Sequence, residues 1–381
     1  MSQPLRIRAA VLHEPGTPLA VEEVLLDPPR AAEVLVRVAA AGVCHSDLHL
    51  AEGHLGGRRW PIVLGHEGAG VVEAVGPGVT HVAPGDRVGF CFVPACRSCR
   101  YCRAGRPNLC EPAGEAAWTA TLLDGTTRLH FLDGRPLKHF LCVACFAERC
   151  VVPAASAVPV PASLPLWQAA LIGCGVVTGV GAVRNAARVG PGETVCVVGC
   201  GGVGLQVVAG ARLAGAGTIV AVDRDATKLE LALRRGATHA VDAAEEDAVA
   251  KVKELSSGGV DHAFEVVGRP ETIRFAWDVL RPGATAVVVG LAPRKVEASV
   301  PAIEFLSEKS LKGCYYGSGD PAADLADLAV LAASGRFAVA DVVSHFTDLD
   351  GIEEAFDRLR RGEGARTVAV MDEELAQAKP V

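Results

Sequence analysis

The sequence predicts an α/β protein with a doubly wound parallel sheet and a second, antiparallel β domain. Three observations predict this fold class. The apolar run Val195–Val198 precedes a glycine-rich loop and a small-residue helix, as expected of a buried parallel strand. Apolar strand patterns then alternate with helical ones up to about residue 289. Earlier in the chain, Glu33–Ala39 alternates with the period of a half-buried strand, without intervening helices.

Length and composition narrow the function classes. With 381 residues the chain is long enough for two domains, and its net charge of −7 contains no basic block that would favour nucleic acid. The apolar runs are interrupted before the ~20 residues that a membrane span requires. The N-terminus lacks the apolar stretch of a signal peptide. Thirteen cysteines in such a chain indicate metal and thiol chemistry in a reducing cytoplasm rather than disulfides. We therefore expect a cytoplasmic protein without membrane or nucleic-acid partners.

The glycine loop has the G-x-G-x-x-G spacing of a dinucleotide site, although an isolated match of this kind can be an ordinary turn. Here the strand, loop, helix, second strand and terminal acid follow in the required order. Asp223 ends the second strand, where a carboxylate can bind ribose hydroxyls and repel a 2′-phosphate. This predicts NAD rather than NADP, although the adjacent Arg224 could tolerate the phosphate. The loop residues assigned to the cofactor are Gly199, Gly201, Gly202, Val203 and Gly204.

The alternation after the loop predicts further helices and strands of the same sheet. Carboxyl ends of parallel strands line the ligand crevice, so Val267 and Arg269 are expected near the nicotinamide ribose. The predicted elements are a helix at 226–235, a strand at 238–241, a helix at 247–255, a strand at 262–266, a helix at 270–280 and a strand at 284–289.

Cys44, His66 and Cys174 together offer two sulfurs and one nitrogen. Each alone is more simply a buried structural residue. As a set they are a Cys₂His group, which leaves a fourth position on zinc for water or substrate. The helical pattern from Leu166 to Val183 carries Cys174. The sequence thus predicts a catalytic zinc.

A second group of cysteines lies within one short, loop-like segment. Four thiolates bind zinc tetrahedrally and leave no position for substrate, so the predicted role is structural. Disulfides and an iron–sulfur cluster are weaker alternatives for this spacing. The residues are Cys96, Cys99, Cys102 and Cys110. The following segment, from Glu111 to Ala147, is predicted to be an irregular loop or short β insertion.

Together these motifs resemble the zinc-dependent medium-chain alcohol dehydrogenase family over nearly the whole chain. The resemblance lies in GVCHSDLH, GHEGAG, the four-cysteine run, GCG at Cys174, GCGGVG, VDRDATK and GARTVAV. It implies a GroES-like catalytic domain with both zinc sites over residues 1–175 and 320–381. It also implies a Rossmann domain over 176–319, two zinc ions per subunit and a homodimer.

The resemblance also implies roles for individual residues. Ser46 matches the hydroxyl that touches the substrate oxygen, and His49 matches the far end of a proton relay. Glu67 matches a carboxylate near the catalytic zinc. Four further residues are expected to contact the cofactor, and two of them, His45 and Arg366, are expected at its pyrophosphate. The four are His45, Thr178, Lys228 and Arg366.

These residues favour an NAD-linked oxidoreductase acting on an apolar or aromatic primary alcohol and its aldehyde. One alternative is a thiol-adduct formaldehyde dehydrogenase, although Glu111–Glu115 lacks the arginine that the glutathione-using branch employs. An alternative of another class is a non-catalytic NAD-binding sensor. It predicts defects in the ligand set or relay, and the sequence shows none.

Overall fold

A computed structural model of the chain describes residues 3–57 and 59–377. The chain forms two compact units. The first consists of Met1–Cys174 and Asp320–Val381, and the second of Gly175–Gly319. The strands, in chain order, are β1 Leu5–Leu12, β2 Ala20–Leu26, β3 Glu33–Val43, β4 Ile62–Val63, β5 Glu67–Val75, β6 Arg87–Phe90, β7 Leu129–His130, β8 Pro136–His139, β9 Arg149–Pro153, β10 Ala157–Pro159, β11 Thr194–Val198, β12 Thr218–Asp223, β13 His239–Asp242, β14 Val260–Glu265, β15 Leu280–Val288, β16 Ser310–Gly313, β17 Val343–Thr347 and β18 Arg366–Val370.

Helices connect and flank these strands. They are α1 His45–Ala51, α2 Arg100–Arg103, α3 Glu111–Thr119, α4 Leu166–Leu171, α5 Val177–Gly181, α6 Gly204–Leu213, α7 Ala226–Arg235, α8 Ala248–Leu255, α9 Pro270–Asp278, α10 Pro321–Ala333, α11 Ile352–Arg361 and α12 Glu373–Ala376. Short 3₁₀ helices lie at Pro107–Leu109, Phe140–Cys142, Ala154–Ser156, Ala302–Ser307, Tyr316–Ser318 and Ala340–Val342.

The first unit is built from two β-sheets. Strands β1, β2, β7, β8 and β4 close into a barrel around an apolar core that includes Ile7, Val24 and Leu137. The second sheet has the order β10-β6-β5-β3-β18-β17, with β9 also pairing with β3. Strand β18 pairs antiparallel with β3, so the C-terminal part of the chain completes this sheet.

The second unit contains a six-stranded parallel sheet of order β13-β12-β11-β14-β15-β16. Numbered from β11 as first, this is 3-2-1-4-5-6, the order of dinucleotide-binding folds. Helices α8 and α9 pack their apolar faces on the sheet, where Trp277 and Val252 are fully buried. The predicted α/β class with a parallel Rossmann sheet is therefore confirmed.

Two local predictions differ from the structure. The segment from Glu111 to Ala147 contains the hairpin β7–β8, in agreement with the predicted short β insertion, but it begins with helix α3, which was not predicted. The predicted strand at 284–289 begins earlier, at Leu280, because its first residues also pair with β14.

The helical run Leu166–Ala187 is long and apolar enough to cross a membrane by length and composition. The Gly and Thr residues within this run do not lower its mean hydropathy below that of a membrane-spanning helix. However, 83% of the apolar window is buried inside the protein, as in the core helix of a folded domain.

Candidate active site

The end of strand β3 lies beside the start of β5, the start of β18 and the start of helix α1. Gly42 lies opposite Glu67 at the start of β5, and Val43 lies opposite Thr367 near the start of β18. Cys44 follows β3 directly and caps helix α1. The register of these two strand pairs therefore places Cys44, Glu67 and Arg366 at one end of the sheet, although they are far apart in sequence.

Four metal-binding side chains converge at this end. The ligand atoms of Cys44, His66, Glu67 and Cys174 all lie within 4.8 Å of one another, and all four residues are buried. His66 Nε2 and Glu67 Oε2 are buried without a hydrogen-bond partner among the described residues. An orphaned imidazole nitrogen beside two cysteine sulfurs fits a zinc ion, because zinc binds nitrogen and sulfur ligands and would satisfy that nitrogen.

Cys174 reaches the site from an irregular part of a helix. It lies in a π-helical turn, Ile172–Val176, between α4 and α5. Such turns are rare and often occur at functional sites. The preceding Gly173 packs so tightly that a Cβ there would lie 2.3 Å from the carbonyl oxygen of Phe90. The sequence predicted a helix through Cys174, but not this local widening that sets the sulfur's position.

Asp47 is a site residue that the sequence reasoning missed. Its Oδ1 accepts the Gly65 N–H at 2.9 Å and contacts His66 Nδ1 at 3.2 Å, and both side chains are buried. With the proton on Nδ1, the His66 Nε2 lone pair is free for a metal. Burial raises the pKa of Asp47 despite the opposing effect of His66. The signal was an acid three residues after Cys44, on the buried side of a short helix.

Glu67 and Arg366 form a buried ion pair. Arg366 Nη2 donates to Glu67 Oε1 at 2.8 Å, and the two side chains are 6% and 0% exposed. Burial raises the pKa of Glu67 to about 7 even though the Arg366 charge opposes that rise. The other oxygen, Oε2, packs against Gly42, where a Cβ would lie 2.3 Å away. Glycine at position 42 therefore makes room for the carboxylate.

The two thiols of the group influence each other strongly. A hydrogen bond with Cys174 holds the pKa of Cys44 well below its ordinary value, and the same bond raises the pKa of Cys174. His66 and Arg366 lower the pKa of Cys44 further. This arrangement favours a thiolate at Cys44, the form that binds metal.

Ser46 and His49 lie on helix α1 beside this group. Ser46 Oγ is 3.8 Å from Cys44 Sγ, and His49 lies three residues on, so both face the same side of the helix. His49 Nδ1 is 3.1 Å from His54 Nδ1. Burial, and then the neighbouring His45 and His54, hold the pKa of His49 below its ordinary value. His49 is therefore neutral, and able to accept a proton, at neutral pH.

The four clustered cysteines form a second group in the same unit. Their sulfurs lie within 4.8 Å of one another, with Cys96 and Cys102 at 4.0 Å. Tetrahedral zinc with sulfur bonds of ~2.3 Å separates its ligands by about 3.8 Å, so the spacing fits. Backbone N–H groups of Cys96 and Cys99 donate to sulfurs of the cluster at 3.2 and 3.3 Å. All thirteen cysteines are free of disulfides.

The glycine loop in the second unit has the shape of a phosphate-binding turn. Gly199 follows β11 with φ +95°, and a Cβ on Gly204 would lie 1.8 Å from the Gly199 carbonyl oxygen. Gly201 faces open space, with no atom within 4 Å of a Cβ position. The loop thus leaves room for a pyrophosphate beside the start of α6, which fits a dinucleotide.

The other predicted cofactor residues occupy both units. Asp223 ends β12 and accepts the Cys200 N–H at 2.7 Å, which ties the acid to the loop. Lys228 lies on α7, 3.8 Å from Asp225, and Arg269 caps α9 after the exposed Val267. The second unit holds Thr178, the loop residues including Gly202 and Val203, Asp223, Arg224, Lys228, Val267 and Arg269, whereas the first holds His45 and Arg366.

Comparisons with known proteins agree with this architecture. Residues 30–162 match the alcohol dehydrogenase GroES-like domain family, and residues 202–334 match the zinc-binding dehydrogenase family. The NDMA-dependent alcohol dehydrogenase of Amycolatopsis methanolica is 42% identical over 96% of this chain and 98% of its own. The S-(hydroxymethyl)glutathione dehydrogenase of Photobacterium damsela subsp. piscicida is 38% identical over 96% and 99%. The crystal structure of benzyl alcohol dehydrogenase from Acinetobacter calcoaceticus superimposes with a TM-score of 0.91 at 32% identity, over 96% and 99% of the two chains.

Proposed function

This chain belongs to the zinc-dependent alcohol dehydrogenase family, and on that premise we propose that it oxidises apolar or aromatic primary alcohols with NAD. As a member of this family, the chain is an oxidoreductase that interconverts small-molecule alcohols and aldehydes with zinc and a nicotinamide cofactor. The observation that carries the proposal is the buried group around His66, whose Nε2 has no hydrogen-bond partner among the described residues and lies beside Cys44 and Cys174.

Zinc would be held by Cys44, His66 and Cys174, with Glu67 as a nearby carboxylate. When bound, it supplies Lewis-acid polarisation of the alcohol, and the nicotinamide accepts the hydride. Asp47 holds the His66 proton on Nδ1, so that the ring presents Nε2 in a fixed direction. Arg366 balances the buried charge of Glu67, so the carboxylate remains beside Cys44 and Cys174 with its charge compensated.

Ser46 and His49 are the proposed proton path. The Ser46 hydroxyl both donates and accepts hydrogen bonds, so it can receive the alcohol proton and pass one on. His49 is only partly buried, and its lowered pKa keeps the ring neutral as an acceptor. The proton leaves the buried group toward solvent along helix α1.

Two phenyl rings support an apolar substrate. Phe92 and Phe140 pack edge-on against His66, with ring centroids 5.3 and 5.4 Å from the imidazole. Both rings are buried, so they exclude water from the metal-facing side chain. The structural relative that is named for benzyl alcohol supports the same substrate class.

A second candidate is oxidation of a hydroxymethyl adduct of a thiol. The relative named S-(hydroxymethyl)glutathione dehydrogenase favours it. Against glutathione itself, helix α3 contains no arginine that could bind its carboxylates; it carries instead Glu111, which pairs with Arg100 at 2.9 Å, and the exposed Glu115. Another low-molecular-weight thiol is compatible with this surface.

The experiment that separates the candidates is a rate comparison. Benzyl alcohol and aliphatic alcohols of graded length are oxidised with NAD, NADP or NDMA, and formaldehyde is tested with and without thiols. NDMA is included because a relative is named as dependent on it. Rates that are highest for aromatic alcohols without thiol support the main proposal. A strict thiol requirement with formaldehyde would instead support the second candidate.

We also propose a homodimer in the cytoplasm. Within the described part of the chain, β16 pairs only with β15, which leaves an edge strand for a second copy. Beside it, Ile303 and Leu306 are 71% and 81% exposed, an unusual exposure for aliphatic side chains. Light scattering tests this: the expected mass is twice 39.4 kDa, and Leu306→Glu is expected to shift it toward the monomer.

A further inference from the structure

The C-terminal end of helix α1 places two histidines together. Glu52 caps the helix, Gly53 follows with φ +76°, and the His54 N–H donates to the His49 carbonyl at 2.9 Å. The Gly53 N–H donates to the Leu50 carbonyl at 2.9 Å, which completes a Schellman motif. In this motif the side chain of the first of its six residues, here His49, contacts the side chain of the last, here His54. The two residues in contact are commonly hydrophobic. In this chain both positions are histidine.

The side chains at this turn have the spacing of a metal site. His49 Nδ1 lies 3.1 Å from His54 Nδ1, which in turn lies 3.5 Å from Glu52 Oε2. A tetrahedral zinc ion with bonds of ~2.0 Å separates its nitrogen and oxygen ligands by about 3.3 Å. All three ligand atoms lie within 4.8 Å of one another. Without a cation the two imidazoles share an N–H···N hydrogen bond, so the arrangement is preformed.

The charges around this turn favour a cation. Glu52 Oε1 accepts from Arg360 Nε at 3.2 Å, which leaves Oε2 directed toward His54. The same guanidinium is also paired with Glu353 at 3.2 Å and Asp357 at 2.5 Å. Three carboxylates thus surround one arginine, and the local charge is negative. Glu52 and His54 are 30% and 42% exposed, so a cation can reach them from solvent.

We propose that His49, Glu52 and His54 form a further, reversible divalent-cation site that can bind Zn²⁺, and that its occupation inhibits alcohol oxidation. This site is separate from the two zinc groups described above. The inhibitory role rests on the proposed function, in which His49 ends the proton path.

Inhibition follows from the chemistry of imidazole. A neutral ring has one nitrogen that carries a proton and one that can accept a proton. A cation on His49 Nδ1 occupies the accepting nitrogen and fixes the proton on Nε2. The ring then cannot accept the proton released from the alcohol.

The test begins with direct binding. The holoenzyme, with its resident zinc in place, is titrated with Zn²⁺ by calorimetry as wild type, His54→Gln and His13→Gln. His13 is a matched control, because it is an exposed histidine beside a single carboxylate, Glu22. We expect one additional site in the wild type and the control. In His54→Gln the affinity should fall by at least an order of magnitude, since one of three ligands is lost.

Activity then tests the inhibitory role. Alcohol oxidation is measured against free Zn²⁺, and the half-inhibiting concentration is expected to match the calorimetric Kd and to rise by the same factor in His54→Gln. No additional binding, or binding unchanged in His54→Gln, overturns the site; binding without inhibition overturns the inhibitory role. Full activity of His49→Gln would instead refute the proposed proton path, while calorimetry still decides the cation site.

Discussion

The Asp47 carboxylate contacts His66 Nδ1 at 3.2 Å in a region where neither side chain is more than 1% exposed. This contact determines which nitrogen of His66 faces Cys44 and Cys174. Carboxylate partners of this kind orient a histidine ligand and increase its basicity. The pair therefore links helix α1, which carries no ligand of the proposed catalytic zinc, to the geometry of that site.

Asp47→Asn tests this link. Asparagine retains an acceptor for the Gly65 N–H but loses the negative charge behind His66, so zinc retention should fall by about 10- to 100-fold. Metal content after dialysis against a graded chelator measures the change. Asp27→Asn is the control, because Asp27 contacts His130 at 3.0 Å away from the site. Equal zinc retention in both variants would show that Asp47 has no such role.

Arg366→Leu should destabilise the protein. It leaves the buried Glu67 carboxylate without its cation, and breaking a buried pair of this kind costs about 3–5 kcal/mol. Loss of the cation should also raise the pKa of Glu67 above its value of about 7, so that the carboxyl is neutral at pH 7. Denaturant unfolding measures the free energy. Adding Glu67→Gln should restore part of it, and a purely additive loss would contradict the coupling.

His49→Gln should lower alcohol oxidation by at least an order of magnitude, since it removes the proposed proton acceptor. The pKa of His49 lies below its ordinary value, so the wild-type rate should persist as pH falls to about 6.5 and decline only below that. The pH profile of kcat measures this. The decline should disappear in the variant, and small amine buffers should partly restore its rate. A variant that retains the wild-type profile would exclude His49 from the path.

Asp223→Asn tests the cofactor prediction. The amide oxygen can still accept the Cys200 N–H, but the charge that repels a 2′-phosphate is gone. The ratio of kcat/KM for NAD to that for NADP should fall by an order of magnitude or more, with the adjacent Arg224 available to the phosphate. Steady-state kinetics with both cofactors measure it. An unchanged ratio would remove Asp223 as the determinant.

The two metal groups should respond differently to the loss of one cysteine. Cys44→Ala should abolish turnover and remove one zinc while NAD binding persists. Cys110→Ala should also remove one zinc, but its main effect should be a lower Tm, because a closed Cys₄ site contributes folding energy. Metal analysis, NAD fluorescence titration and thermal unfolding separate these outcomes. A protein that contains one zinc before mutation would contradict the two-site proposal.

Local motifs in the sequence account for much of this protein. The glycine loop with Asp223 predicted the parallel sheet, because a dinucleotide turn requires a strand, small residues and a helix in direct succession. The cysteines from Cys96 to Cys110 predicted their own cluster, since all four lie within one loop. The pattern at 226–235 also predicted a helix with the bounds that the structure gives to α7.

Only the tertiary structure decided which distant side chains meet. Arg366 reaches Glu67 across 299 residues because β18 and β5 both flank β3, and no periodicity reports that register. Asp47 acts on His66 because a loop returns the chain to helix α1. The π-helical turn that positions Cys174 likewise depends on packing against Phe90. Short-range chemistry is encoded in residue spacing, whereas long-range pairing depends on how sheets and helices pack, which spacing alone does not specify.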